Sequence, residues 1–347
     1  MCKSHKIALE DVGAGEHAVT FIIESADANT TFTFSGATES VSNLKVEKVS
    51  SIEKGNFRLL LWNVQMGVWA DQGNNYDNFV TWVNKYDPDC FAIIEAETVK
   101  KTGSTTGVSS AEKYFTNGWK ETAARFGHSY VANGGNRDSY SQELTSKTPI
   151  TTLQKITDTD VSGKPVQHGA GHFRITAGGK EIDIVTMHTW PQSYAPGTSD
   201  QAASTAAAEG DYYRLHEVEY VMKQTVLNPE YASQTNWIVV GDMNSRSRAD
   251  NWYYGYEENS TKLIAQDYIR DNTDLLDVIE MKYPGRFINT TASGTARIDF
   301  MYVSPSLYEF LDSAIVIRDD WTSEVFSGLS NYWYPSDHRP ILVDFNF

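Results

Sequence analysis

The stretch Trp237-Ile238-Val239-Val240-Gly241-Asp242-Met243-Asn244-Ser245 decides how the rest of the chain is read. An unbroken apolar run bounded by a glycine reads as a buried strand. An acid and an amide follow at its C-terminal end, where side chains from several strands can converge at one edge of a sheet. Five other strand ends share this character. Asn63 closes Leu59-Leu60-Leu61-Trp62, Glu95 closes Phe91-Ala92-Ile93-Ile94, and His188 closes Ile184-Val185-Thr186-Met187. Arg297 and Asp299 open the strand that runs to Val303, and Ser336, Asp337 and His338 precede Arg339-Pro340-Ile341-Leu342-Val343. A single ending of this kind more often marks a loop hydrogen bond than chemistry. Six that mix carboxylates, amides and two histidines point to one site.

Outward from these strands, apolar periods alternate between strand and helix. Phe57–Trp62 and Cys90–Ile94 read as buried strands, with further strands expected over 149–155, 171–177, 181–187, 236–240, 297–303, 313–318 and 340–346. Phe79, Trp82, Val83 and Tyr86 recur at helical spacing over Asn78–Tyr86 and stop before Pro88. Ala111–Phe126 reads as a helix with Phe115, Trp119, Ala123 and Phe126 on one face. A long helix is expected within 200–227, its inner stripe formed by Leu215, Val218, Met222 and Val226. Many short strands with intervening helices suit two packed sheets covered by helices. Residues 1–52 differ, with short β-type runs such as Val19–Ile23 and Leu44–Val49 between Asp, Asn, Gly and Ser turns. They read as a small N-terminal β appendage to a main domain over 53–347.

The composition narrows the class. With 347 residues, 40% of them hydrophobic, the chain can bury a large core and is expected to be a soluble globular protein. No apolar run reaches the roughly 20 residues of a membrane span. Lys and Arg number 29 against 45 Asp and Glu, a net charge of −16. Phosphate-backbone binding draws on basic patches, so this balance disfavours long nucleic acid while leaving small phosphorylated substrates open. Only Cys2 and Cys90 are present, which excludes a disulfide framework. Cys90 reads as a buried small hydrophobe. Cys2 reads equally as an ordinary exposed cysteine or as a lipid anchor left after signal removal, which would make the protein extracytoplasmic, periplasmic or cell-surface.

The polar inventory matches the needs of phosphate ester hydrolysis. A hard divalent cation prefers carboxylate oxygens such as that of Glu95, and it polarises a phosphoryl oxygen. A histidine held by a carboxylate can take a proton from water. Amide donors such as Asn63 and Asn244 can stabilise phosphorane-like oxygens without adding charge. No cysteine or serine has a plausible adjacent base, so covalent nucleophilic catalysis is the weaker scheme.

Taken together, Leu61-Trp62-Asn63-Val64-Gln65, Pro88 followed by Glu95, Thr186-Met187-His188-Thr189, Gly241-Asp242-Met243-Asn244-Ser245, Arg297-Ile298-Asp299-Phe300 and Ser336-Asp337-His338-Arg339-Pro340 resemble the ordered motifs of the endonuclease/exonuclease/phosphatase (deoxyribonuclease I-like) superfamily. The resemblance spans roughly 57–347. It implies an α/β fold, a four-layered α/β/β/α sandwich with two central, mostly antiparallel sheets, and a Mg²⁺-dependent (or Mn²⁺-dependent) phosphoester hydrolase site. Carried over residue by residue, Glu95 resembles the metal-binding glutamate, with Asn63 beside the metal or phosphate and Asp337 joining the metal shell. His338 resembles the histidine near the attacked phosphate and Asp299 the carboxylate that orients it. Asp242 and Asn244 match the pair that positions water and phosphate, and His188 the histidine on the leaving-group side. Two departures stand out. Ile94 precedes Glu95 where glutamine is usual, with Glu97 as a second candidate, and Trp190-Pro191-Gln192 after His188 is unlike the nuclease version.

Substrate contacts are expected from Arg246, Trp190 and Tyr253, the last within Trp252-Tyr253-Tyr254-Gly255-Tyr256, because aromatic rings stack on bases and sugars or accept lipid chains. His168 and His172 read first as structural or supporting residues, and Arg248 as solvated loop charge. The resulting expectation is a Mg²⁺-dependent phosphodiesterase or phosphatase acting on a small, lipid or sugar phosphoester through a His-activated water. A nuclease on DNA or RNA and a non-catalytic binding relative are the alternatives.

Overall fold

In β1 (Phe57–Asn63) every residue is buried, and alternation decides which layer each one serves. Leu59 and Leu61 face an apolar layer shared with Ile184, Val240, Met301 and Val343, while Leu60 and Trp62 pack with Phe79, Trp82 and Trp119 on the other side. The computed structural model describes residues 54–68, 71, 75–96, 119–135, 140–157, 166–197, 207–317 and 335–347. The expected appendage over 1–52, Cys2 and Glu97 lie outside them.

The remaining strands are β2 (Cys90–Ile94), β3 (Tyr130–Gly134), β4 (Gln142–Ser146), β5 (Thr151–Ile156), β6 (Ala170–Ala177), β7 (Lys180–His188), β8 (Trp237–Asp242), β9 (Leu276–Asp277), β10 (Asp299–Val303), β11 (Leu311–Val316) and β12 (Ile341–Phe345). They form two six-stranded sheets, ordered β11-β12-β1-β2-β4-β3 and β5-β6-β7-β8-β10-β9. Each sheet contains one parallel pair, β1 with β2 and β7 with β8, and the other pairings are antiparallel. Three apolar layers result: one between the sheets, one under the helix Asp77–Tyr86, and one where Val185, Met187 and Val239 meet Val218, Val221 and Met222 of the helix Ala207–Gln224. This is the expected four-layered α/β/β/α sandwich. Between the sheets, Thr186 Oγ1 donates to Gln142 Oε1 at 3.0 Å, a polar link within the apolar layer.

The helices confirm the periodicity, with one shift. Trp119, Ala123 and Phe126 are buried around the helix Lys120–Arg125, whereas Phe115 lies outside the described residues. In Ala207–Gln224 the buried positions are Gly210, Asp211, Tyr213, Arg214, Glu217, Val218, Val221 and Met222, while Leu215, and Val226 beyond the helix, are only half-buried. The expected stripe is turned because polar side chains, each with hydrogen-bond partners, occupy its N-terminal half. Among the described residues no helix is long and apolar enough to cross a membrane.

Candidate active site

The parallel pairs explain why polar strand ends converge. Parallel strands finish at the same edge, so Asn63 stands opposite Ile94, directly before Glu95, and His188 pairs in register with Asp242. Antiparallel neighbours supply the residues that begin strands: Asp299 pairs with Asp242, and β12 starts opposite Leu61, which brings Ser336 and His338 beside Asn63. Gly241 permits the approach of β8 to β7, since a Cβ there would lie 1.9 Å from the Met187 carbonyl oxygen.

Asp242 is the centre of the cluster. Its Oδ2 accepts from Asn63 Nδ2 at 3.0 Å and lies 3.6 Å from His338 Nε2 and 3.7 Å from His188 Nε2. Its Oδ1 accepts the Asn244 backbone N–H at 3.0 Å. Asn63 Nδ2 also donates to Glu95 Oε1 at 3.2 Å, so one amide spans two carboxylates. His338 Nδ1 bonds Asp299 Oδ2 at 2.8 Å. Thr290 Oγ1, which the sequence did not single out, accepts the backbone N–H groups of Ile298 and Asp299 at 3.1 Å. Ser336 Oγ donates to the Asn63 carbonyl at 2.6 Å and accepts the His338 N–H at 3.0 Å, which ties the two motifs together.

The backbone around Glu95 is strained. Gln65, Met66, Gly67 and Val68 all have φ between 48° and 65°, a left-handed turn that L-residues avoid, and Glu95 itself has φ 55°. The turn is held by Met66 N–H donating to Glu95 Oε2 at 3.0 Å and Gly67 N–H donating to the Glu95 carbonyl at 2.7 Å. Asn244 is also left-handed, with φ 44°. Strain of this kind costs about 1–3 kcal/mol per residue and gathers at functional sites.

Burial and like charge set the electrostatics. Burial raises the Glu95 carboxyl above its ordinary value, against the opposing hydrogen bonds from Asn63 and Met66. Asp299 is likewise raised by burial, with Asp242 adding to the effect and His338 opposing it. For His338, burial pushes down, but Asp299, Asp242 and Asp337 outweigh it and hold the imidazolium well above its usual range. Two buried carboxylates, Asp242 and Asp299, therefore face one imidazolium, with Asp337 at the rim.

A divalent cation fits this environment. Ligand-type atoms of Asp242, Asp299 and His338 lie within 4.8 Å of one another. Asp299 Oδ1 is buried and has no hydrogen-bond partner among the described residues. The two carboxylates supply hard oxygens with excess negative charge, the donor type that Mg²⁺ or Mn²⁺ prefers. Glu95 reaches this group through Asn63, whose own oxygen accepts the Gln65 N–H at 3.0 Å. Asp337 is more than half exposed at the rim, with Oδ1 3.9 Å from His338 Nε2.

The expected substrate residues divide. Arg246 is half-buried, with its guanidinium 5.6 Å from the Tyr254 ring centre. Arg248 instead pairs with Asp267 at 2.8 Å and with Glu258 at 2.6 Å, so its charge is committed. Tyr253 stacks on Phe287 with centroids 3.8 Å apart, and Trp252 is 60% exposed beside it. Trp190 lies over His168, which stacks on His188 at 4.7 Å. His172, near the start of β6, is held by buried Asp183 at 2.8 Å in a structural role. Arg297, read as a strand-opening polar residue, turns inward to Asp250 and Asp277 and is wholly buried.

The comparisons with known proteins agree with this geometry. The model of the Endonuclease/Exonuclease/phosphatase family matches residues 60–338, from β1 through His338. No curated protein sequence matches the chain. Similar solved structures include an AP endonuclease from Archaeoglobus fulgidus, at 15% identity and TM-score 0.53, covering 84% of this chain and 100% of that one. The human Nocturnin catalytic domain is similar at 15% identity and TM-score 0.54, with coverage of 84% and 93%. A 3′–5′ exonuclease from Neisseria meningitidis follows at 14% identity and TM-score 0.53, with coverage of 84% and 100%. These likenesses establish a shared fold, while the family match spans every motif that converges on Asp242. The chain belongs to the Endonuclease/Exonuclease/phosphatase family and is a phosphoester-hydrolysing enzyme.

Proposed function

We propose that this enzyme is a Mg²⁺-dependent phosphodiesterase or phosphatase acting on small phosphoesters. The observation that carries the reading is the convergence on Asp242 Oδ2 of an amide and two imidazoles, at 3.0, 3.6 and 3.7 Å. Glu95, Asp242, Asp299 and Asp337 would hold the cation, with Asn63 between Glu95 and Asp242. When bound, the cation supplies polarisation of the phosphoryl oxygen and positive charge that draws the His338 pKa back toward neutrality.

Asp299 fixes the His338 ring through Nδ1, which leaves Nε2 facing the site to take a proton from the attacking water. Asp242, 3.6 Å from that nitrogen, stabilises the imidazolium that forms. Asn244 presents an amide on the opposite side of Asp242, and its Nδ2 is braced by the Thr189 carbonyl at 3.1 Å. His188, whose Nε2 lies 3.7 Å from the same Asp242 oxygen, gives a proton to the departing oxygen. Attack on phosphorus and loss of the leaving group thus have separate proton carriers that share one carboxylate oxygen.

Substrate size follows from charge and aromatic placement. The net charge of −16 opposes long nucleic acid. Trp252, Tyr253 and Phe287 form an exposed stacking surface on the loops that leave β8 and precede β10, suited to a sugar or base attached to the phosphate. The test is hydrolysis of bis-p-nitrophenyl phosphate, p-nitrophenyl phosphate, inositol phosphates, sphingomyelin and plasmid DNA with Mg²⁺, Mn²⁺ or chelator. Metal-dependent turnover of a small ester that is lost in His338→Ala supports the reading. Preference for plasmid DNA, or turnover undiminished by chelator, overturns it.

A further inference from the structure

The helix Ala207–Gln224 carries a buried polar stripe, Asp211, Arg214 and Glu217, at successive intervals of three. Glu217 has no exposed surface. Its Oε1 accepts the Gln167 N–H at 2.8 Å and its Oε2 accepts the Trp190 N–H at 2.7 Å. One carboxylate therefore pins together two backbone segments that are 23 residues apart in sequence. The first leads into His168 and the second leaves His188. Between them the imidazoles of His168 and His188 stack at 4.7 Å with 29° between planes, and Trp190 continues the stack over His168 at 6.2 Å.

Arg214 works on the same loop from the carbonyl side. Its Nη1 donates to the Trp190 carbonyl at 2.7 Å and to the Gln192 carbonyl at 3.0 Å, and its Nη2 is paired with Asp211. Thr189 sits between the bracket and the catalytic centre. Its N–H donates to the Asp242 carbonyl at 3.0 Å and its carbonyl accepts from Asn244 Nδ2 at 3.1 Å. A charged side chain is buried at a loss unless hydrogen bonds satisfy it; burial raises the Glu217 carboxyl to about 7, opposed by these two loop amides and the fields of His168 and Arg214. The bracket therefore holds geometry, and the geometry it holds is that of the His188 ring.

We propose that Glu217 is a positioning residue for His188, fixing the His168 stack and the Trp190 loop so that His188 Nε2 is aimed at the leaving oxygen. The inference rests on the phosphoester reading above. In that reaction the water oxygen bonds to phosphorus, the bond to the leaving oxygen breaks with its electron pair on that oxygen, and the His188 proton neutralises it. A p-nitrophenolate leaves without needing that proton, whereas an alkoxide does not.

The test uses the full chain with Mg²⁺ and compares a p-nitrophenyl ester with an alkyl ester of the same phosphoryl group. Displacing a proton donor by about 1 Å lowers rate by about 100-fold. Glu217→Ala is therefore expected to lower kcat for the alkyl ester by about 100-fold and for the p-nitrophenyl ester by less than about threefold, with KM little changed. Glu217→Gln keeps one acceptor oxygen and should fall between, and His188→Ala should show the same selectivity. Near-normal p-nitrophenyl turnover also reports an intact fold. Equal losses on both esters, no loss on either, or failure of both variants to fold would overturn the inference while leaving the enzyme's chemistry in place. Wild-type silence on both esters would overturn the phosphoester reading and this inference with it.

Discussion

Arg297 offers the sharpest test of how this site is supported. Its side chain is 1% exposed, with Nε 2.6 Å from Asp250 Oδ2 and Nη1 paired with Asp277. Its guanidinium lies 4.7 Å from the Phe300 ring centre, and its backbone N–H donates to the Tyr254 hydroxyl at 2.9 Å. Replacing Arg297 by Met keeps an unbranched apolar stem but leaves two buried carboxylates without their cation. Removing one partner of a buried pair costs about 3–5 kcal/mol. Asp277 retains the N–H groups of Ile279 and Glu280, at 3.0 and 3.3 Å, whereas Asp250 keeps no comparable donor to its side chain among the described contacts. Asp250 should therefore carry most of the loss. Its carboxyl is already raised by burial despite Arg297, and without the arginine it rises further.

That assignment fixes a pH signature. A carboxyl whose folded pKa lies above its unfolded value binds a proton on folding, so its penalty is small at low pH and grows as pH rises from the unfolded value toward the folded one. The deficit of Arg297→Met relative to wild type should be larger at pH 8 than at pH 5. At roughly 2 °C per kcal/mol for a domain of this size, the melting temperature at pH 8 falls by about 6–10 °C. Adding Asp250→Asn should recover much of the loss, a coupling read from a double-mutant cycle in urea. Asp299 is held separately by Thr290 and His338, so kcat measured well below the transition should change little. A loss under about 1 kcal/mol at pH 8, or no recovery in the double variant, would refute the reasoning.

Other expectations follow from the same geometry. Asp299→Asn should lower kcat by about 100-fold or more with KM nearly unchanged, because His338 loses the acceptor that sets its ring; steady-state kinetics checks this. Glu95→Gln should weaken divalent cation binding by about 10–100-fold in calorimetry, since it removes a charge that also braces the strained turn over 65–68. Gly241→Ala forces β8 off Met187, so stability should fall by about 1–3 kcal/mol in denaturant titration, together with activity through the displaced Asp242. Burial lowers the His128 pKa to about 4, where its ring bridges Thr145 and the Pro88 carbonyl. The folded value lies below the unfolded one, so this contribution is complete above about pH 6.5 and is lost as pH falls toward 4. At pH 5 about 2 kcal/mol should be missing relative to pH 7, a difference that His128→Asn would remove.

Most strands, the layers and the gathering of polar strand ends could be read in advance because each depends on a local pattern, whereas β3, β4 and β9 were not expected. A strand buried on both faces is continuous in apolar residues, as in Leu59–Trp62 and Ile238–Val240, and its polar terminus marks the sheet edge where chemistry can occur. The order of the motifs then implied the family and, through it, Asp242, His338 and their partners. What the sequence could not specify is which polar residues look inward for support. Arg297 sits in a motif beside Asp299 and reads as part of the site, yet it lies just before β10 and its side chain turns to Asp250 and Asp277. Glu217 lies on a helix read by its apolar stripe, and its role appears only when Gln167 and Trp190 meet over it. Periodicity in a sequence records burial, which is local to a face. Hydrogen bonds between distant segments depend on tertiary register, and no single segment contains that information.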